Sequence, residues 1–155
     1  MKLIETGFNE RVRAKFQRLN SIADYNEEIE QNFSFNWSKE ESNEIYKLEA
    51  LDNSLILGLM SVSNFQKEYR LHVNLIESSI LNRGKLKRIK NIPHCLLSYA
   101  CKQSFSLGYD GFVSLYPKTD LINYYKKEYG FEQVGRYLAV YGKTSYQLIK
   151  EYLDE

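Results

Sequence analysis

The sequence predicts one α/β domain built on a mixed sheet, and three observations carry that prediction. Residues Tyr69 to Glu77 alternate, with Tyr69, Leu71, Val73 and Leu75 on one face and Arg70, His72 and Asn74 on the other, which is the period of two of a strand. The apolar runs Ile45 to Leu51 and Leu55 to Val62 are separated by the polar pair Asp52-Asn53, as suits a tight antiparallel reversal. Further on, a helical stripe ended by Gly108 leads into the short apolar run Gly111 to Tyr116. Strand, helix and strand in that order imply a right-handed parallel crossover, so the sheet combines both kinds of pairing.

The chain has 155 residues, 43% apolar and 26% charged, the size at which one domain buries roughly 68–70% of its unfolded surface. Residues 1–155 carry no repeat and no Pro/Gly/Ser-rich linker, so a single domain is expected. No run approaches the roughly 20 apolar residues of a membrane span, and Met1 to Phe8 lack the basic and apolar regions of a signal peptide. A soluble cytoplasmic protein is expected. The formal net charge of +1 provides no global field toward nucleic acid or an anionic membrane. Positive charge is concentrated locally in Asn82 to Lys90, with Arg83, Lys85, Lys87, Arg88 and Lys90; the balanced charge elsewhere argues against reading this segment as an RNA contact. Cys95 and Cys101 sit six apart in one helical stretch and point in different directions, which predicts buried free thiols. Two histidines and two cysteines without ligand spacing predict no metal site.

In chain order, Val12, Phe16 and Leu19 recur at i, i+4 and i+7, predicting an amphipathic helix capped by Asn9. Residues 20–43 show no clear period. In the long third strand Glu77 continues the apolar face, and His72, on the opposite face by alternation, reads as a surface or satisfied polar histidine. Leu97, Ala100, Cys101, Ser104 and Phe105 form the helical stripe, with Lys102 and Gln103 facing water. Pro117 stops the next strand, and Thr119 can cap a helix whose stripe is Leu121, Tyr124, Tyr125 and Tyr129, ended by Gly130. Phe131 to Val134 and Tyr137 to Tyr141 read as strands around Gly135, and Thr144-Ser145-Tyr146-Gln147 reads as a capping box before Ile149 and Leu153.

This element order, with YRLHVNLIESS and then RIKNIPHCLLSYACKQSFSLGYDGFVSLYPKTDLINYYKKEYGF, resembles the GNAT superfamily of N-acetyltransferases, from about Glu44 to Tyr141. LINYYKKEYGF is similar to the family's tyrosine-rich helix followed by Gly-Phe. The resemblance implies a twisted, mostly antiparallel sheet flanked by helices, with two parallel strands, Tyr69 to Glu77 and Gly111 to Tyr116, splaying apart around acetyl-CoA or a related acyl-CoA. Its pyrophosphate would sit where a helix start offers backbone N–H groups and a positive dipole end. The family's loop of Gln or Arg, two residues, Gly, one residue, then Gly or Ala aligns with Arg88-Ile89-Lys90-Asn91-Ile92-Pro93, which keeps Arg88 and lacks both glycines. Proline suits the first helical position, which would leave the cradle intact.

The resemblance implies cofactor contacts from Ile76, Ser78, Arg88, Lys90, Asn91, Ile92, His94, Cys95 and Tyr125. Tyr125 aligns with the family tyrosine that protonates the departing thiolate, a task for which a phenol is protonated at neutral pH. Glu77 is the candidate base, because burial beside the gap would raise its pKa; the other reading is a strand-end carboxylate. The expected reaction is direct acyl transfer to an amine on a small molecule or peptide, with a homodimer as a further expectation. The alternative is an inactive binding or regulatory module with a decayed site. The acceptor pocket would draw on residues 20–43, where Phe33, Phe35 and Trp37 read as lining or as core.

Overall fold

A computed structural model describes residues 1–84 and 88–154. Lys85 and Lys87 of the basic segment lie outside the described residues. The strands are β1 (Ile4–Glu5), β2 (Glu10–Arg11), β3 (Ala14–Arg18), β4 (Glu44–Ala50), β5 (Ile56–Phe65), β6 (Arg70–Ser78), β7 (Ile89–Lys90), β8 (Val113–Leu115), β9 (Glu132–Val134) and β10 (Tyr137–Val140). The helices are α1 (Asn26–Asn32), α2 (Ile92–Ser106), α3 (Ile122–Tyr129) and α4 (Gly142–Tyr152). Seven strands form one sheet in the order β3-β4-β5-β6-β8-β10-β9, and β2-β1-β7 form a small second one. In the large sheet every neighbouring pair is antiparallel except β6 with β8. The mixed α/β sheet with one parallel pair is therefore as expected.

Two cores lie on the two faces. Leu48, Met60, Val62, Leu71 and Val73 pack under α2 and α4, whereas Ile45, Ile56 and Leu59 pack under α1 and its flanking turns through Ile22, Ile29, Phe33 and Trp37. The predicted first helix is instead β3. Val12, Ala14 and Phe16 are partly buried at a spacing of two and pack against the larger core, and Leu19, an odd number of residues on, turns into the smaller one. A separation of four fits both periods; pairing of Ala14 to Arg18 with β4 decides for the strand.

Three further expectations are corrected. Thr119 does not cap a helix but begins a 3₁₀ turn, Thr119–Leu121, ahead of α3, and of the predicted stripe Leu121 and Tyr124 are exposed while Ile122 packs inward. Thr144 and Ser145 lie inside α4, which starts at Gly142, and the Ser145 hydroxyl donates to the Gly111 carbonyl at 2.6 Å. His72 and Glu77 share one face of β6. Leu75 pairs with Ser61 but Val73 with Val62, so Asn74 is an extra residue that shifts the phase of the strand. Gly108 and Gly130, by contrast, end α2 and α3 in the left-handed region, at φ 83° and 82°.

The β6–β8 pairing spans only Leu71 to Val73 against Val113 to Leu115. Beyond it, residues 74–78 of β6 run on beside β5 alone, and Pro117 follows Tyr116 out of β8. This divergence opens the gap in the sheet. At its far end α2 approaches β5 so closely that a Cβ on Gly58 would lie 2.8 Å from Ile92 Cγ2 and 2.9 Å from Leu96 Cδ1. Gly58→Ala should therefore destabilise the protein by about 1–3 kcal/mol, the cost of overpacking; urea unfolding reads this, and an unchanged midpoint would mean that α2 shifts freely.

Candidate active site

The diverging strands frame two adjoining cavities. One, of about 210 Å³, lies between them and is lined by Leu75, Ile76, Leu115, Tyr116, Lys118 and Tyr125 among others. The second, about 410 Å³, lies toward the start of α2, between Ile76, Glu77 and Ser78 on one side and Asn82, Ile89, Ile92 and Pro93 on the other. Phe35 and Ile76 line both. Phe35 reaches them although Phe33 and Trp37 are buried in the smaller core, so the three aromatic residues divide between lining and core.

Glu77 stands at the centre of this region. Its side chain is 3% exposed. One carboxylate oxygen accepts from the Ser34 amide and hydroxyl, both at 2.7 Å, and from the Arg83 guanidinium; the other accepts from Trp37 Nε1 at 2.8 Å and the Phe35 amide at 3.2 Å. Burial pushes the Glu77 pKa up, but the hydrogen bonds from Trp37, Ser34 and Arg83 outweigh it and hold the carboxyl below its usual value. The expected upward shift is thus corrected: burial came with five donors, and their hydrogen bonds favour the carboxylate form of Glu77.

The loop before α2 makes a left-handed turn without glycine. Asn91, at the position of the family's first glycine, adopts φ 75° and ψ 23°, a left-handed conformation that asparagine tolerates better than most residues. Its side chain donates to the Lys2 carbonyl at 2.9 Å. Pro93 is the second helical residue, not the first. The amides of Ile92 and His94 fall in the first turn, where the helix offers them no carbonyl, whereas the Cys95 amide donates to Asn91 at 3.0 Å and the Cys95 thiol is fully buried. Cys95 therefore offers neither its amide nor its thiol at the α2 start. Burial raises both thiols, Cys95 and Cys101, to a pKa of about 12.

Asn82 is a feature the sequence reading missed. Its Oδ1 accepts from the amides of Arg88 at 2.7 Å and Ile89 at 2.8 Å, and its Nδ2 donates to the Ile89 carbonyl at 2.9 Å. On the other edge β7 pairs with β1. The Arg88 side chain is exposed, and Lys90, Asn91, Pro93 and His94 line a further cavity of about 410 Å³ with Thr6, Tyr124 and Glu128. His94 is packed against the rings of Tyr129 and Tyr152 and meets Glu128 at 2.7 Å. The expected cofactor residues therefore divide between two sides of the α2 start, Ile76, Ser78 and Ile92 on one and Lys90, Asn91 and His94 on the other.

Tyr125 is half-buried beside the gap, edge-on to Phe131 with ring centroids 5.7 Å apart. Burial, with a smaller contribution from Tyr124, raises its pKa, so the phenol stays protonated. His72 is a buried, satisfied histidine: Nδ1 lies 2.8 Å from Ser114 Oγ, and burial with the adjacent Arg70 lowers its pKa to about 4.

Because the Glu77 pKa is lowered in the folded protein, its contribution to stability is complete above the usual carboxylate range and is lost as pH falls through the folded value. Glu77→Gln should cost about 3 kcal/mol at pH 7, since an amide places a donor among donors. The deficit should shrink below about pH 4. Urea unfolding at pH 7 and at pH 3.5 reads both; a deficit independent of pH would assign it to shape rather than charge.

No protein-family model and no curated protein sequence matches the chain. Solved structures do. Nourseothricin acetyltransferase is similar at 16% identity and a TM-score of 0.53, over 83% of this chain and 95% of that one. AtaTR bound with AcCoA is similar at 13% identity and a TM-score of 0.56, over 88% and 98%. N-acetylglutamate synthase from Neisseria gonorrhoeae, complexed with coenzyme A and N-acetyl-glutamate, is similar at 12% identity and a TM-score of 0.57, over 86% of this chain and 36% of that one. With the strand order, the single parallel pair and the gap beside the α2 start, these similarities show that the chain has the GNAT acyltransferase fold.

Proposed function

We propose that the protein is an acyl-CoA-dependent N-acyltransferase that moves an acyl group directly to an amine. The observation that carries this reading is the gap between β6 and β8, which joins a cavity at a helix start on one side and a protonated tyrosine on the other. The similar structures bound with AcCoA or coenzyme A add support.

The residues suit such a ligand. The edge of residues 74–77, short of the Ser78 carbonyl that Arg83 occupies, can orient an extended pantetheine arm, as an edge strand orients a peptide. The amides of Ile92 and His94, at the positive end of the α2 dipole, can receive a pyrophosphate, with Arg88 and Lys90 nearby in sequence. The acyl thioester supplies an activated carbonyl. Tyr125 at the gap donates a proton to the leaving sulfur, and the apolar walls from Phe35, Leu75, Ile76 and Leu115 exclude water from the reacting carbon.

One observation favours a second reading, a binding module without turnover: Asn82 already occupies the amides of Arg88 and Ile89, which a phosphate would otherwise find free. Acetyl-CoA separates the readings in two steps. At a hundred times its dissociation constant it should stabilise the protein by about 2.7 kcal/mol, visible as a raised melting temperature; an unchanged melting temperature removes the acyltransferase reading and supports a module whose cofactor site has decayed. Tyr125→Phe should then lower kcat by about 10²–10⁴ with little change in KM. A loss below about threefold would return Tyr125 to packing.

A further inference from the structure

We propose that the acceptor is an amine already neutral in an appreciable fraction near pH 7, an α-amino group or weaker base on an apolar body, because the described residues lining the gap bring no general base to it. The inference rests on the acyl-transfer reading and concerns the other half of that reaction. A thioester is attacked only by a neutral nitrogen, so something must remove the proton of an ammonium before the chemical step. The groups around the cleft decide what that is.

Glu77 is the carboxylate lining the cleft, and its two oxygens already accept five hydrogen bonds, from Ser34, Phe35, Trp37 and Arg83. A carboxylate offers about four lone-pair sites, so accepting a proton would break contacts that hold residues 34–37 in place. Among the described residues the other ionisable groups do not replace it: His94 and Glu128 meet each other at 2.7 Å in the separate cavity on the other side of the α2 start, and neither lines the gap. Lys118 lines the gap and is positive, and the remaining titratable side chains lining the gap are the phenols Tyr116 and Tyr125. On the same face of the sheet, Lys47 is bound to Glu49 with its ammonium 4.1 Å from the Tyr25 ring centre, and His72 is held by Ser114 and Arg70. From α1, Glu28 accepts from the Ile56 amide, and Glu30 lines a separate cavity behind residues 33–38. Asp120 is exposed and lies beyond Lys118.

The field at the gap is therefore positive or neutral, which disfavours an ammonium and favours a neutral amine. The walls from Phe35, Leu75, Ile76, Leu115 and Leu121 suit an apolar body. An ε-amine, with a pKa of about 10.4, is neutral in only about one molecule in 2,500 at pH 7; an α-amine, with a pKa near 8, in about one in ten. That difference replaces the missing base. In the step itself the amine nitrogen forms the C–N bond and the C–S bond breaks. Tyr125 gives its proton to the sulfur, the nitrogen releases one proton to water, and the phenol recovers one from water.

The test uses the wild-type protein with acetyl-CoA and two acceptors of similar aromatic body, phenylalaninamide and the more basic phenethylamine, with the polyamine spermidine as a third. Release of free thiol is followed across pH. At pH 7 phenylalaninamide should exceed phenethylamine in kcat/KM by at least tenfold, and the pH midpoint of each profile should move with the pKa of that acceptor. One midpoint common to both acceptors would reveal a base on the protein and overturn the proposal, as would preferential acetylation of spermidine. A melting temperature raised by acetyl-CoA with none of the three amines acetylated would also overturn the acceptor proposal while leaving the cofactor reading intact. No thermal response to acetyl-CoA would remove the two together.

Discussion

The arrangement of the site depends on one buried charge. Taking the Glu77 carboxylate out of water is costly unless donors replace the solvent. Here they come from segments far apart in sequence: the 34–37 turn, through two amides, a hydroxyl and an indole, and the guanidinium of Arg83. Satisfying one anion therefore fixes the path of the turn over β6 and leaves Phe35 at the cavity walls while Trp37 enters the core. Arg83 also donates to the Ser78 carbonyl, at 3.0 Å through Nε and 2.6 Å through Nη2. The same charge thus ties the end of β6 to the segment leading into the α2 start.

That segment continues the logic in neutral form. Asn82 bridges two amides and a carbonyl of Arg88 and Ile89, and β1 holds the opposite edge of β7. Glycines would have allowed the backbone its unusual angles at no steric cost. Here a left-handed asparagine supplies the turn at residue 91, and side-chain and strand contacts supply the rigidity. The two cavities at the α2 start are in this sense products of tertiary bracing rather than of loop composition.

The gap follows from a mismatch in strand length. β8 has three residues and β6 has nine, so parallel pairing stops while β6 continues beside β5. The extra residue at Asn74 turns the phase of β6 at the point of divergence, placing Leu71 and Val73 against α2 but Leu75 beside the smaller core. Tyr125 completes the opening because α3 follows directly from the turn after β8.

The sequence by itself determined the elements whose signal is local. Alternation marked β6, the polar pair at Asp52-Asn53 marked the β4–β5 reversal, and Gly108 and Gly130 marked the ends of α2 and α3, because period and backbone conformation are properties of neighbouring residues. Residues 9–19 were misread because a spacing of four satisfies helix and strand alike, and only the partner strand β4 distinguishes them. The tertiary structure alone decided the state of Glu77 and the bracing by Asn82. The extra residue at Asn74 moves Glu77 to the face opposite the one alternation gives it, the donors that lower its pKa stand up to 43 residues away, and hydrogen bonds across that separation leave no periodic trace in the chain. An ionisable group takes its pKa from what surrounds it in space, so Glu77 could be located from sequence while its chemistry could not.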